Sequence, residues 1–472
     1  MKVRFLYMLA IVVSCMIVSC SDNSYEDYMT VIPKDAKGVA AVRFDNIVNK
    51  SGVARSPLIR LALSKMGSAM GADVEAKVKE LIHDPSLSGI DFSRPAYVFA
   101  INDKMYGLTM KVEDESLLNE LMGTLVKLDF CSKVKESDGY QWTSLADGSA
   151  RMVYSDNTLL IVLANTEIAN TLNPMMLAMM RQNADDSFVT TPQFAKLRDQ
   201  KYEDLQVYFN LGVEGVLQAD MLKELLPKGA RPADYEFVSG VNLREGGVDI
   251  QGQLFSTDEK AQAEFDNYFA SFKPMTGEYV NKIPKGTKLW ACMGANGEQL
   301  VDLLERVPKI KEVLLAAGFV IDAEQMLRSI DGDVMICANP DKEEVAVYAQ
   351  LAQSDFMNDV DSWIDAAPKY DVTITDEGQG QYHLKGSEVD AYWGVNDNQL
   401  YVGNVAYTPL SVQGTNKHAD DMEGALFYIL ADLNAIDHMV ANSVIVKSYK
   451  PGEVIINVDI DSFPGILWKG LE

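Results

Sequence analysis

The sequence predicts an α+β fold, built as two tandem copies of a mixed unit in which helices pack on an antiparallel sheet. Three observations predict it: the length, the repeated order of strand and helix patterns, and the short turns between strands. The chain has 472 residues, too many for one hydrophobic core, so two or three domains are expected. Strands joined by short turns pair antiparallel, and helices between such strands indicate an α+β rather than a doubly wound class.

The N-terminus has the parts of a secretion signal. Residues 1–4 carry two positive charges, and the apolar run that follows is shorter than the roughly 20 residues that span a bilayer. The segment Ile17-Val18-Ser19-Cys20 has the pattern of a lipoprotein-processing site, with a branched residue three positions before the cysteine and a small residue next to it. We predict that residues 1–19 are a lipoprotein signal peptide and that Cys20 carries the lipid.

A polar, acidic segment follows Cys20, and we predict that residues 20–30 form a tether to the membrane. Cys15 stands in a similar pattern, but the apolar residues after it would make a poor tether. An ordinary cleaved signal with a chance cysteine is the alternative. An anchor on Cys20 predicts an outer-membrane location with display on the cell surface, and the alternative is an anchor that faces the periplasm.

The charge of the chain argues against one class of partner. The net charge is −26, and loss of Lys2 and Arg4 with the signal makes the mature chain more negative still. A field of this sign repels nucleic-acid backbones and anionic head groups. We therefore predict no nucleic-acid partner, and attachment to the membrane through the lipid on Cys20 alone.

The two predicted copies span residues 31–276 and 277–472. Each opens with the same motif, IPKDAK from Ile32 and IPKGTK from Ile283, and in each an apolar strand pattern and a helix-like run follow. Self-similarity of this kind is a reason to consider a repeat before any other feature. The boundary is placed at the segment GEYVNK, just before Ile283, with the second copy beginning at residue 277.

Further landmarks recur in the same order. The tetrapeptide from Ser88 (SGID) and the one from Arg328 (RSID) each precede a strand pattern. Asp156-Asn157 and Asp397-Asn398 each suit a tight hairpin turn, because Asp and Asn tolerate the left-handed backbone of such turns. Because these motifs recur in the same order in both halves, the sequence predicts a duplication with deletions in the second copy.

These motifs resemble a known family. The carriers are the processing site at Cys20 with its acidic segment, the IPKDAK opening at residues 32–37 and the SGID motif at Ser88. The chain resembles the duplicated lipoproteins of Bacteroidetes gut bacteria that are catalogued only as a domain of unknown function. The resemblance implies the duplicated architecture and the location in the cell envelope, and it implies no activity, cofactor or catalytic residue.

A search for catalytic motifs finds no nucleophile elbow, phosphate-binding loop or dinucleotide fingerprint. The four histidines have no paired spacing; they are His83, His383, His418 and His438. No catalytic residue, cofactor or metal site is therefore predicted. Whether the chain is an enzyme stays uncertain at this point, with a non-enzymatic role favoured.

Closely spaced carboxylates are the nearest approach to a metal site. Asp331 and Asp333 flank a glycine, and Asp459 and Asp461 alternate with Asn457 on one face of the last strand. Either set offers the oxygen ligands that calcium takes, but neither has the spacing of a calcium loop. We interpret both as solvated faces.

The cysteines of the body number three, Cys131, Cys292 and Cys337, which is neither a disulfide framework nor a zinc pattern. Cys292 and Cys337 both lie in strand-like runs of the second half. They would form a bridge if the strands are neighbours, or two buried thiols, since free Cys behaves as a small hydrophobe. The sequence leaves this open.

One apolar run has an unusual composition. Pro174 is followed by MMLAMM, and the methionines are Met175, Met176, Met179 and Met180. A helix that is apolar on all sides is either buried or an interaction surface, and methionine suits surfaces that must adapt to varied partners. Burial between the copies is one interpretation, and a surface for a protein or an apolar ligand is the other.

These observations favour a membrane-anchored envelope lipoprotein that acts as a non-enzymatic binding or interaction module. Its partner would be an envelope protein or an apolar ligand. A surface hydrolase acting on glycan or peptide is an alternative, suggested by the predicted location at the cell surface and by the many Asp and Glu residues. A structural component of the envelope is a second alternative.

Overall fold

In the computed structural model, the structure describes residues 25–460 except 52–75, 78, 82–83, 103, 146–147, 165–173, 214–222, 224–225, 228, 271, 306–311, 313–317, 319–320, 388, 413–415 and 434–440. The chain divides into two compact units. Unit 1 contains the described residues up to Ala261 together with Ile460, and unit 2 is Gln262–Asp459. The predicted boundary after residue 276 lies within unit 2.

Unit 1 contains ten strands, and every pairing between them is antiparallel. Their order across the sheet is β4-β5-β6-β7-β3-β2-β1-β8-β9-β10. The strands are β1 (Gly38–Val42), β2 (Ala96–Asn102), β3 (Met105–Lys111), β4 (Lys135–Ser137), β5 (Tyr140–Ser144), β6 (Ala150–Tyr154), β7 (Thr158–Ala164), β8 (Leu205–Asn210), β9 (Glu236–Arg244) and β10 (Gly247–Phe255).

Strand β7 shows why this sheet is buried on both faces. Its sequence is an unbroken apolar run, in which Leu160 and Val162 pack into one core cluster and Leu159 and Ile161 into another. Because successive side chains point to opposite faces of a strand, the two clusters lie on the two sides of the sheet. A continuous apolar run is typical of a strand covered on both faces.

The helices of unit 1 are short and begin at local signals. Asp114 caps one of them by accepting hydrogen bonds from the backbone N–H groups of Ser116 and Leu117, and Thr191 caps another ahead of Pro192. The helices are α1 (Phe44–Ser51), α2 (Glu115–Lys127), α3 (Pro174–Met180) and α4 (Pro192–Arg198), and α5 (Glu259–Phe269) begins at the end of the unit.

The strands of unit 2 also pair antiparallel. Their order is β15-β16-β17-β18-β14-β13-β12-β19-β20, and β11 pairs with the end of β12. The strands are β11 (Phe272–Lys273), β12 (Leu289–Asn296), β13 (Ile330–Asn339), β14 (Glu344–Leu351), β15 (Thr373–Gly378), β16 (Gln381–Lys385), β17 (Asp390–Asn396), β18 (Gln399–Gly403), β19 (Phe427–Asp432), β20 (Ala441–Ser448) and β21 (Glu453–Ile460).

Turn chemistry and alternation account for much of unit 2. Asp397 and Asn398 both have positive φ, 48° and 58°, and join β17 to β18 in a tight hairpin, as their types predict. Met335 packs into one core cluster and its neighbour Val334 into another, so this sheet is also covered on two faces. The helices that follow α5 are α6 (Gly297–Leu304), α7 (Ala323–Arg328), α8 (Val360–Ala366) and α9 (Ala419–Met422).

The predicted fold class, α+β with two tandem copies of a mixed unit, is wrong. The described residues form 21 strands, all of the pairings given above are antiparallel, and the fold is dominated by sheet. The helices between the strands are short; α8, for example, has seven residues and follows a 3-10 turn, Asp355–Asp359. Strands with apolar side chains on both faces, such as β7, carry the core clusters, so the sheet and not the helices determines the fold.

Candidate functional site

The predicted lipidation site, Cys20, lies outside the described residues, as do His83 and His438. Among the described residues, no helix has the length and apolar character needed to cross a bilayer. In the same part of the chain, no three His, Cys, Asp or Glu side chains come together as a metal site would require.

The methionine run forms α3, and its members divide between two environments. Met176 and Met179 are 1% and 4% exposed and belong to the core of unit 1. Met175 and Met180 are half-buried and pack against that core. Two of the four methionines are thus core residues, while a binding role for the run stays a prediction.

The structure separates the two carboxylates that the sequence placed around Gly332. Asp331 is exposed and forms an ion pair with Lys273. Asp333 is 2% exposed and accepts three backbone hydrogen bonds, from Thr276 at 2.7 Å and from Gly277 and Glu278 at 2.8 Å. Asp333 therefore fixes the segment that leads into the second IPK motif. Of the other pair, Asp459 accepts a hydrogen bond from the Ser443 hydroxyl, 2.7 Å, and Asp461 lies outside the described residues.

The two cysteines whose pairing the sequence left open are free, as is Cys131. Cys292 faces Met335 and Cys337 faces Trp290 across β12 and β13, and both thiols lie in one core cluster of unit 2. Burial raises the pKa of Cys337 to about 12, against the effect of a hydrogen bond with Thr287. Burial also raises the pKa of Cys292, and the neighbouring Cys337 adds to the effect.

The described histidines occupy two different settings. His383 lies on β16, with its Nε2 2.6 Å from a carboxylate oxygen of Asp390 and its ring stacked on Tyr392. His418 lies beside Tyr428, with 3.0 Å between its Nδ1 and the tyrosine hydroxyl. The hydrogen bond from His383 lowers the pKa of the Asp390 carboxyl. The His383–Asp390 contact joins adjacent strands and was not visible in the spacing of the sequence.

A cavity of about 360 Å³ lies in unit 2 and is called the unit 2 cavity below. It lies where the segment before β12 meets the end of β13, the start of β14 and the loop after β18. The residues that line it are 282, 284–287, 337–339, 344–346, 348, 401, 405–406 and 408–411.

Each wall of the cavity is held by specific contacts. The second IPK motif, whose Pro284, Lys285 and Thr287 line the cavity, is closed by a hydrogen bond from the Thr287 hydroxyl to the Pro284 carbonyl, 2.8 Å. At the root of the loop after β18, Asn404 accepts from the backbone N–H of Val345, 2.8 Å. These contacts give the cavity a defined shape.

Two tyrosines form the inner wall. Tyr348 and Tyr401 are 3% and 1% exposed, and their ring centroids are 5.1 Å apart. The Tyr401 hydroxyl donates to the Val405 carbonyl and so ties the loop to the sheet. Burial raises the pKa of Tyr401 to about 12 and that of Tyr348 well above its usual range. Both phenols are neutral at physiological pH.

Charged groups are confined to the rim. Lys285 is exposed, Lys282 forms an ion pair with Glu278, and Glu344 lies 3.9 Å from Lys342. The sequence analysis had singled out the IPKGTK motif as a landmark but not as part of a site. Tyr348 and Tyr401 were missed altogether, because nothing in their spacing distinguishes them from other core tyrosines.

Comparison with known proteins assigns the chain to a family. A family model described as "Domain of unknown function (DUF4836)" matches residues 28–440. The chain belongs to this family. The resemblance to a domain of unknown function is confirmed, while the Bacteroidetes lipoprotein type inferred for it stays a prediction.

The DUF4836 family carries no assigned function, and no curated protein matches the chain. Among solved structures the chain is similar to crystal form IV of TP0453, with 11% identity over 49% of this chain and 81% of the other, and a TM-score of 0.31. Crystal form III of TP0453 gives the same identity and TM-score over 52% and 87%. At these TM-scores the similarity carries no argument about the fold or the function.

Proposed function

We propose that this DUF4836 protein is a lipid-anchored envelope protein that binds a small molecule in the unit 2 cavity. The observation that carries the proposal is the cavity itself. Its volume of about 360 Å³ falls in the range of roughly 300–1,000 Å³ that ligand sites occupy. Its walls combine tyrosine rings and aliphatic side chains with a few polar groups, as such sites do.

The chemistry of the wall favours binding over catalysis. A general base or a nucleophile needs a pKa near the working pH or an activating partner. The thiol of Cys337 and the phenol of Tyr401 have pKa values raised to about 12, because burial disfavours their charged forms. Groups that stay protonated offer hydrogen bonds and contact area rather than proton transfer.

Support for the anchor comes from the sequence around Cys20 and from where the body begins. Tyr28, Val31 and Ile32 are at most 2% exposed, and the Tyr28 hydroxyl donates to the Pro95 carbonyl at 2.9 Å. Glu26 pairs with Arg94 at 3.0 Å. A tether from Cys20 to this point has six steps and reaches about 20 Å at most. Within the predicted tether, residues 20–30, the described part from Glu26 onward packs on unit 1, so a lipid on Cys20 would hold the body within about 20 Å of a bilayer.

The surface-hydrolase and structural-component alternatives stay predictions, since no residue grouping described above favours either. A binding role for α3 through an envelope protein is likewise untested. The two proposed binding sites can be separated by one pair of substitutions. Ala406 lines the unit 2 cavity, and Ala178 lies exposed on α3 between the methionines.

The test uses the full chain purified from its own membranes in detergent. Native mass spectrometry of the wild type should show a small-molecule adduct on the protein. Ala406→Trp should remove the adduct because the indole occupies the cavity, whereas Ala178→Trp should leave it. Loss of the adduct in Ala178→Trp alone would move the site to α3. An intact mass with an unmodified Cys20 would refute the anchor separately.

A further inference from the structure

We propose that the unit 2 cavity takes an uncharged molecule with an apolar body and one polar group, and that the Tyr348 hydroxyl makes the polar contact. This inference rests on the function proposed above and specifies its ligand. It depends on three features: the hydrogen bonds of the wall tyrosines, the place of the charges and the size of the cavity.

The hydroxyl of Tyr348 differs from those of its neighbours. Tyr401 donates to the Val405 carbonyl, so its hydrogen is already used. Tyr279, whose ring centroid is 6.5 Å from that of Tyr348, has a hydroxyl without a partner among the described residues, but that hydroxyl is enclosed by protein and Tyr279 does not line the cavity. Tyr348 lines the cavity, and within the described residues its hydroxyl has no hydrogen-bond partner. This hydroxyl is not enclosed by protein atoms, so a polar group of a molecule in the cavity can act as its hydrogen-bond partner.

The charges around the cavity favour a neutral ligand. Lys282 is paired with Glu278, and Lys285 is exposed to solvent. The side chain of Glu344 is 41% exposed. A charged ligand that moved inward to the tyrosines would lose its hydration without a buried partner of opposite charge, which is costly. An uncharged ligand avoids this loss.

The remaining wall sets the shape of the ligand. Val345, Val405, Pro409 and Leu410 line the same cavity and add aliphatic surface to that of the tyrosine rings. The volume of about 360 Å³ lies at the small end of ligand sites, so one ring with a short substituent enters easily. Burial of its apolar part then drives binding, and the polar group gives orientation.

Benzamide, benzoate, benzylammonium and toluene serve as probes of matched size. Their affinities for the full chain in detergent would be measured by ligand-observed NMR titration. We expect benzamide to bind at least 10-fold more tightly than either charged probe. Tyr348→Phe should weaken benzamide binding by about 5- to 10-fold, the effect of one lost hydrogen bond, and should leave toluene unchanged.

Tyr279→Phe is the matched control, because it removes a neighbouring hydroxyl that does not reach the cavity. It should leave the affinity for all four probes unchanged. Circular dichroism of both variants establishes that they fold. The comparison of benzamide with toluene in the wild type tests the polar contact without any substitution.

The outcomes separate this inference from the proposed function. If Ala406→Trp abolishes probe binding but benzoate binds more tightly than benzamide, or Tyr348→Phe has no effect, the cavity is a ligand site and the inference about its ligand is wrong. If benzamide binds Ala406→Trp and the wild type equally, the cavity is not the site, and both fail. Absence of any benzamide binding to the wild type also contradicts the inference.

Discussion

Replacement of Asp333 by asparagine removes one charge from a fully enclosed carboxylate and leaves its size unchanged. In the native protein one carboxylate oxygen accepts from Thr276, and the other accepts from both Gly277 and Glu278. In the variant, the oxygen of the new amide side chain can keep at most the two hydrogen bonds from Gly277 and Glu278. The NH₂ group of that amide then faces the N–H of Thr276, so two donors meet and one bond is lost.

The size of the effect follows from these bonds. A hydrogen bond to a charged group contributes about 1.5–3 kcal/mol, and a neutral one about half as much. Losing one such bond and weakening two others gives a destabilisation of about 3 kcal/mol. Asp331→Asn is the control on the same strand, because its carboxylate is 48% exposed and, among the residues that the structure describes, pairs with Lys273 alone. An exposed pair contributes about 1 kcal/mol or less.

Urea denaturation followed by circular dichroism measures both free energies of unfolding, and the transition of unit 2 is the one that should shift. The expected result is a loss of about 3 kcal/mol for Asp333→Asn and less than about 1 kcal/mol for Asp331→Asn. Equal effects of the two substitutions, or a loss below about 1 kcal/mol for Asp333→Asn, would refute the role given to this carboxylate.

Three further predictions concern the core, pH and the thiols. Met176→Ala should destabilise unit 1 by about 2–5 kcal/mol in the same urea assay, because the side chain is 1% exposed; a change below about 1 kcal/mol contradicts its core placement. Burial lowers the pKa of His418, so the folded state favours its neutral form. The free energy of unfolding should therefore fall as the pH drops below 6.5, and His418→Gln should reduce that fall. An unchanged pH profile in this variant would contradict the contribution of His418. Burial raises the pKa values of three thiols, those of Cys131, Cys292 and Cys337. Iodoacetamide at pH 8 should therefore leave them unmodified in the native protein and alkylate them in urea. Rapid alkylation of the native protein would contradict their burial.

Features that depend on neighbouring residues could be predicted from the sequence. Asp397-Asn398 forms the expected hairpin turn because both residue types tolerate positive φ. The helix α2 begins at Glu115 because the Asp114 side chain just before it caps the first turn, which is a local signal of the sequence. In both cases the interactions that decide the structure lie within three residues of one another.

Features that depend on distant residues could not be predicted in this way. The role of Asp333 depends on an N–H group 57 positions away, and the interpretation of this residue as part of a solvated face was wrong, since it is 2% exposed. The unit 2 cavity combines residues from 282 to 411, and Tyr348 reads as an ordinary core residue until the strands are paired. The fold class was wrong for a related reason, since the pairing of strands far apart in the sequence, such as β1 with β8, is not visible in local patterns.

The most direct test of the central claim is a crystal structure of the full chain purified from its own membranes without added ligand. The proposal predicts ordered density for a small organic molecule in the unit 2 cavity, in contact with the Tyr348 hydroxyl. Density for water alone, or a cavity closed by the side chains of residues 405–411, would contradict it.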